Sequence, residues 1–111
     1  MRNHKLYLKD ILEAMEAVEG FVEGMEFKKF QRDDKTSSAV IRKFEIIGEA
    51  AKNIPETIKQ KHSIVPWREM AGMRDKLIYF YFGIKYELVW RTIKDVIPQI
   101  RPSIRKILEE L

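Results

Sequence analysis

The segment 66–83, PWREMAGMRDKLIYFYFG, gathers the side chains of this sequence that are best suited to chemistry. When it is wound as a helix at about 100° per residue, Arg74, Asp75, Tyr79 and Tyr81 fall on one half of the surface. A guanidinium and two phenols can donate hydrogen bonds to an anion. Asp75 has no second carboxylate in this cluster with which to hold a catalytic metal ion. The cluster therefore does not favour a metal-dependent nuclease.

The same helix is apolar on two opposite sides. We expect Met70, Met73, Leu77 and Phe80 to enter the core, whereas Trp67, Ile78 and Phe82 accompany the polar cluster. Contiguous apolar surface of this kind usually marks an interface. The pattern predicts a homodimer in which two copies of Arg74 lie near a two-fold axis.

The elements that must position this helix are all predicted to be helical, because apolar residues recur with a period near 3.6 and not 2. The first predicted main helix covers about residues 4–27, and the second runs from Asp33 or Asp34 to about Asn53. The third covers 66–82, and the fourth begins at Tyr86 and has a break near Pro98. A short helix is expected over 55–61, and Gly83 is expected to stop the third main helix. The fold class is all-α, an antiparallel bundle of four main helices in one domain, residues 1–111.

Composition excludes several classes of function. The chain has no cysteine and only two histidines, His4 and His62, so we expect neither a metal site nor a cofactor. No apolar run could span a bilayer, and the first 20 residues lack a signal-peptide core, so a cytoplasmic protein is expected. No helix-turn-helix pattern or glycine-rich phosphate loop is found.

Charge is distributed unevenly along the chain. Residues 1–65 hold 12 Lys and Arg against 11 Asp and Glu, and residues 66–111 hold 9 against 6, within a net charge of +4. The surplus is either an ordinary solvated surface or an attraction for a polyanion. An acidic row, Glu16, Glu19, Glu23 and Glu26, is expected to have no nearby base, as a solvated face or a docking surface for a basic partner.

Residues 67–90, WREMAGMRDKLIYFYFGIKYELVW, resemble the signature helix of the HepT-like toxins of the HEPN superfamily. The pattern of that family is Arg, four to six residues, His, one residue and Tyr, which here reads Arg74, Asp75-Lys76-Leu77-Ile78, Tyr79, Phe80, Tyr81. The flanking Pro66-Trp67, Gly72-Met73 and Val89-Trp90 are also similar. The resemblance implies a HEPN-like dimer with a metal-independent endoribonuclease site shared across it.

In this chain Tyr79 stands where the family has histidine. The resemblance implies that Arg74 stabilises the phosphate, and that the missing imidazole would assist proton transfer during attack by the RNA 2′-hydroxyl. A phenol has an ordinary pKa near 10, against about 6.5 for imidazole, so Tyr79 is a poor base at neutral pH. Ribonuclease activity is therefore expected to be weak or lost, although Tyr79 can still donate a hydrogen bond to phosphate.

Tyr81 holds the last position of the motif. The resemblance implies a minimal nucleotidyltransferase antitoxin that silences the toxin by attaching AMP to this tyrosine. Two other interpretations stay open: a binding-only dimer that holds its nucleotidyltransferase without catalysis, and an unrelated basic helical adaptor or DNA-binding protein. The RNA substrate, its cut site and assembly beyond a dimer are not indicated by the sequence.

Overall fold

The fold was described from a computed structural model, which covers residues 3–80 and 85–111 and gives side chains up to Met73 and again from Lys85. Its helices are α1 His4–Phe21, α2 Phe27–Arg32, α3 Asp34–Lys52, α4 Glu56–Lys61, α5 Trp67–Phe80, α6 Tyr86–Arg91 and α7 Ile97–Glu110, with a π-helical turn at Thr92–Val96. The described residues contain no strand, which confirms the all-α prediction.

Helix α1 ends six residues before its predicted end. Its N-cap is Asn3, whose side chain accepts a hydrogen bond from the Lys5 amide at 2.8 Å. The apolar stripe is buried from Leu8 to Val18. The helix then stops at Phe21, and Gly24 adopts a φ of 75°, which favours glycine and turns the chain.

Helix α2 lies where the sequence predicted a polar connection, residues 28–36. One fully buried side chain, Phe30, anchors this six-residue helix to the core. A single anchor gives no periodic pattern, so a helix this short could not be recognised from hydrophobic spacing.

Helix α3 begins as predicted, and Asp33 rather than Asp34 caps it. The Asp33 Oδ1 atom accepts a hydrogen bond from the Thr36 amide at 3.0 Å. This bond favours the ionised carboxylate and lowers the pKa of Asp33. Helix α3 packs against α1 and α5, and its small residues Gly48, Ala50 and Ala51 are buried.

The last main helix is broken next to Pro98, as predicted. Pro98 lacks a backbone donor, and the residues just before it form the π turn between α6 and α7. Buried positions Val89, Ile93 and Ile97 are spaced by four residues, which would drift by about 80° over two steps of a regular α-helix. The wider π turn accommodates this spacing and keeps the stripe facing the core.

The acidic row of α1 has basic partners, so the prediction that no base lies nearby is wrong for half of it. Arg105 Nη2 donates to Glu16 Oε1 at 3.1 Å. Arg101 Nε lies 2.6 Å from Glu19 Oε1, an ion-pair distance without the alignment of a hydrogen bond. Both bases come from α7, which packs along α1. Sequence separation of more than 80 residues hid this pairing from any local pattern.

Candidate active site on helix α5

Helix α5 carries three of the four candidate site residues. Arg74, Asp75 and Tyr79 lie in its C-terminal half, whereas Tyr81 lies outside the described residues. The side chains of residues 74–80 also lie outside the description, so these residues are placed only by their positions along the helix backbone. Positions 74 and 79 are about 7.5 Å apart along the axis, and positions 75 and 79 are separated by about one turn.

The N-terminal half of α5 is fixed by its core residues. Met70 and Met73 are buried, as predicted. Leu77 and Phe80, predicted to share that face, lie among the side chains outside the description. Helix α3 packs against α5 and supports it.

Trp67 corrects the prediction of a second apolar face. Its side chain is 6% exposed and belongs to the hydrophobic core, and its Nε1 atom donates to the His62 carbonyl oxygen at 3.1 Å. The turn between α4 and α5 brings that carbonyl to the indole, a contact that a helical projection of α5 alone cannot include. The predicted interface therefore depends on Ile78 and Phe82.

A cavity of about 280 Å³ lies beside Met73, the residue before Arg74. It is enclosed by residues of α3, α5, α6 and the π turn, and its lining is mainly apolar: Phe44, Pro66, Glu69, Met73, Leu88, Val89, Arg91, Thr92 and Val96. The described lining of this cavity is thus mostly apolar, with two charged side chains, Glu69 and Arg91. It lies next to the start of the motif.

His62 does not supply an imidazole to the motif of its own chain. It ends α4, and its Nε2 atom lies 3.8 Å from Glu110 Oε2 on α7. Its carbonyl is bound to Trp67, at the first residue of α5. Tyr79 follows twelve positions later, about 18 Å along the helix axis. The two groups are thus at opposite ends of α5.

The described part of the chain provides neither a metal site nor a membrane span. Within it, no three His, Cys, Asp or Glu side chains gather closely enough to hold a metal ion. Across the same residues, no helix combines the length and apolar character needed to cross a membrane.

Comparison with known proteins gives a consistent result. The family model HepT-like, described as ribonuclease HepT-like, matches residues 11–107. A protein of Thermococcus cleftensis named Probable ribonuclease HepT is 51% identical over 106 residues, 96% of each chain. Relatives from Caldanaerobacter subterraneus and Methanocaldococcus jannaschii, candidate RNases by name, are each 44% identical over 110 residues. These cover 99% of this chain and 98% and 91% of the relatives. No solved structure matches the chain.

Proposed function

We propose, from the premise that this chain belongs to the HepT-like ribonuclease family, that it is a metal-independent RNA endonuclease and the toxin of a toxin–antitoxin pair. Residues 1–111 would form a single cytoplasmic domain that works as a homodimer. The observation that carries the proposal is the Arg74-Asp75-Tyr79 sequence on one helix within the span of the family match.

In the proposed reaction the RNA 2′-oxygen attacks the adjacent phosphorus atom, and the bond to the 5′-oxygen breaks. The products are a 2′,3′-cyclic phosphate and a 5′-hydroxyl. The 2′-hydroxyl loses a proton, and the departing 5′-oxygen gains one. Arg74 would stabilise the negative charge that develops on the phosphate oxygens, by charge-assisted hydrogen bonds.

In the proposed site, the motif lacks a group that transfers protons efficiently at neutral pH. Tyr79 replaces the imidazole of the family motif, and a phenol with an ordinary pKa near 10 accepts few protons at neutral pH. We assign Tyr79 the role of a hydrogen-bond donor to the phosphate. Asp75, one turn before it, would orient that phenol by accepting a hydrogen bond.

Control of the toxin is assigned to Tyr81. A minimal nucleotidyltransferase antitoxin would attach AMP to its phenol, and the added phosphate would occupy the anion position beside Arg74. The modification would therefore block RNA from the same guanidinium that the reaction requires.

A second candidate is a binding-only dimer that holds the nucleotidyltransferase and does not cleave RNA. Two observations favour it: Tyr79 stands at the histidine position, and His62 is held at the far end of α5. The third interpretation, an unrelated adaptor or DNA-binding protein, is disfavoured by membership of the family.

Cleavage of a labelled single-stranded RNA in the presence of EDTA tests the proposal. We expect slow cleavage by the wild type, and a loss of about 10²-fold or more in Arg74→Ala, the magnitude typical of removing one donor to a developing oxyanion. The matched control is Arg68→Ala, an exposed arginine on the same helix, which should cleave like the wild type. Equal rates for Arg74→Ala and the wild type would refute the assignment.

A further inference from the structure

The short helix α2 and the helix α6 form a surface that is both basic and aromatic, which we call the α2–α6 face. Helix α2 contains three basic and no acidic side chains, and residues 85–96 contain three basic and two acidic ones. The excess of four positive charges equals the net charge of the whole chain, +4. Outside these two segments, the positive and negative side chains of the chain balance.

Aromatic rings join the two helices of this face. Phe30 lies 5.2 Å from Trp90 and 6.4 Å from Tyr86 between ring centroids, and Phe27 lies 6.2 Å from Trp90. Lys94 Nζ sits 4.9 Å from the Trp90 ring centroid. Because Phe30 is fully buried, this cluster fixes α2 on α6 and holds the surrounding cations in place.

A cleft of about 460 Å³ opens on this face between the two helices. Its lining residues are Gln31 of α2 and Lys85, Tyr86, Glu87, Leu88 and Arg91 of α6 and its N-cap. The side chains of Lys85 and Arg91 are exposed, and neither forms an ion pair or hydrogen bond with another described side chain. Two cationic side chains thus share the cleft with one carboxylate, Glu87, and with the half-buried phenol of Tyr86.

The carboxylates around the cleft do not neutralise it. Asp33, at the end of α2, does not line the cleft, and its carboxylate accepts a hydrogen bond from the Thr36 amide at the start of α3. Glu87 is the one carboxylate in the lining, and it faces two cations. The cleft therefore keeps a positive charge that attracts an anion.

The cleft is also close to the motif along the chain. Lys85 follows Phe80, the last residue of α5, by five positions, which span at most about 18 Å. A single-stranded nucleic acid bound over several nucleotides can contact both the cleft and the motif on α5.

We infer that the α2–α6 face is the RNA-binding surface of this protein, with Lys85 and Arg91 contacting the phosphate backbone of a single-stranded RNA beside the reactive site. The inference rests on the proposed function for its choice of RNA. Tyr86 offers a ring on which a base can stack, which does not depend on base identity. In this proposal the α2–α6 face positions the RNA strand, and the residues of α5 determine where it is cut.

The test is the affinity of a fluorescent 20-nucleotide single-stranded RNA at several salt concentrations, measured in the Arg74→Ala background so that the probe stays intact. We expect Lys85→Ala/Arg91→Ala to bind the RNA about tenfold more weakly. The slope of the logarithm of the binding constant against the logarithm of salt concentration should be smaller in magnitude by roughly 1.4, since each phosphate contact to a single strand contributes about 0.7. Glu87→Gln should bind more tightly, because it removes the one negative charge from the cleft.

The matched control is Lys52→Ala/Lys61→Ala, which removes the same charge from exposed positions near α4. Equal losses in the two double variants, or no measurable RNA binding at all, would overturn the inference. RNA affinity unchanged in Lys85→Ala/Arg91→Ala would also overturn it. RNA cleavage is measured separately in chains that retain Arg74. If RNA binds through this face but is not cleaved, the nuclease proposal is refuted and the RNA-binding inference stands.

Discussion

Among individual residues, the proposed chemistry depends on one difference, a phenol in place of an imidazole at position 79. We propose that Arg74 holds the Arg position of the family motif, and α5 carries Arg74, Asp75 and Tyr79 on one continuous helix. Where a neighbouring element decides a residue's surroundings, prediction from spacing failed: Trp67 was expected on a free face and is bound to the His62 carbonyl. The start of α3 was predicted at Asp33 or Asp34, and the structure shows that Asp33 is the N-cap, with its partner Thr36 three residues away.

The prediction at this scale concerns Tyr81. Incubation with a cognate minimal nucleotidyltransferase, ATP and Mg²⁺ should add one AMP per chain, located on Tyr81 by peptide mass mapping. On an ideal helix, positions 79 and 81 would be separated by about 200° around the axis, so one modifying enzyme should distinguish the two phenols. Tyr81→Phe is the matched control and should remain unmodified. AMP on Tyr79, or no modification of the wild type, would contradict the assignment.

At the scale of elements, the four main helical segments follow from the apolar periodicity, including the break at Pro98. The sequence did not reveal α2, because one buried phenylalanine in a charged segment gives no period. It also did not reveal the pairing of α1 with α7, since Glu16 and Arg105 are distant in sequence. The main helices, each with several buried residues, could be predicted from periodicity. The short helix α4, which buries no residue, was also predicted, and it begins directly after Pro55. Helix α2, held by one buried side chain, could not be predicted.

The cap of α3 gives a prediction with a defined pH dependence. The pKa of Asp33 is lowered from its ordinary value of 3.8, first by the hydrogen bond from the Thr36 amide. A lowered pKa in the folded chain stabilises it fully above the unfolded value and progressively less as pH falls through the folded value. Asp33→Ala should therefore lower the thermal midpoint by several degrees at pH 7, and the difference should shrink at pH values well below 3.8.

Thermal melts followed by circular dichroism between pH 7 and about pH 2 measure this effect. Asp33→Asn keeps an acceptor without a charge. Its advantage over Asp33→Ala should therefore change little with pH. A gap between the wild type and Asp33→Ala that stays constant across the range would show that the cap does not depend on ionisation.

At the scale of the whole molecule, the proposal requires two chains, because each site of a HEPN-like dimer is expected to include residues of both copies. The predicted interface consists of the C-terminal half of α5, with Ile78 as its apolar residue, and of Phe82, which lies outside the described residues. Trp67 no longer contributes to this argument, since the core of its own chain buries it. The distribution of charge is also a whole-molecule property: sequence halves indicated only a basic C-terminal part, whereas the fold joins α2 to α6.

Sedimentation equilibrium at micromolar concentration tests the dimer. We expect about twice the chain mass of 13.2 kDa for the wild type, and a shift toward monomer for Ile78→Glu. Ile64→Glu is the control, because Ile64 is 90% exposed and lies outside α5. A wild type that sediments as a monomer would refute both the dimer and the shared site.

The rate at which Tyr79→His cleaves single-stranded RNA, relative to the wild type with EDTA present, tests the central claim most directly. An imidazole at position 79 should raise cleavage by about 10²-fold or more, since general acid–base catalysis typically contributes ~10²–10⁴-fold. The gain should depend on pH near about 6.5, and it should disappear in Tyr79→His/Arg74→Ala. A wild type that cleaves as fast as Tyr79→His would contradict the claim that a proton-transfer group is missing from this helix.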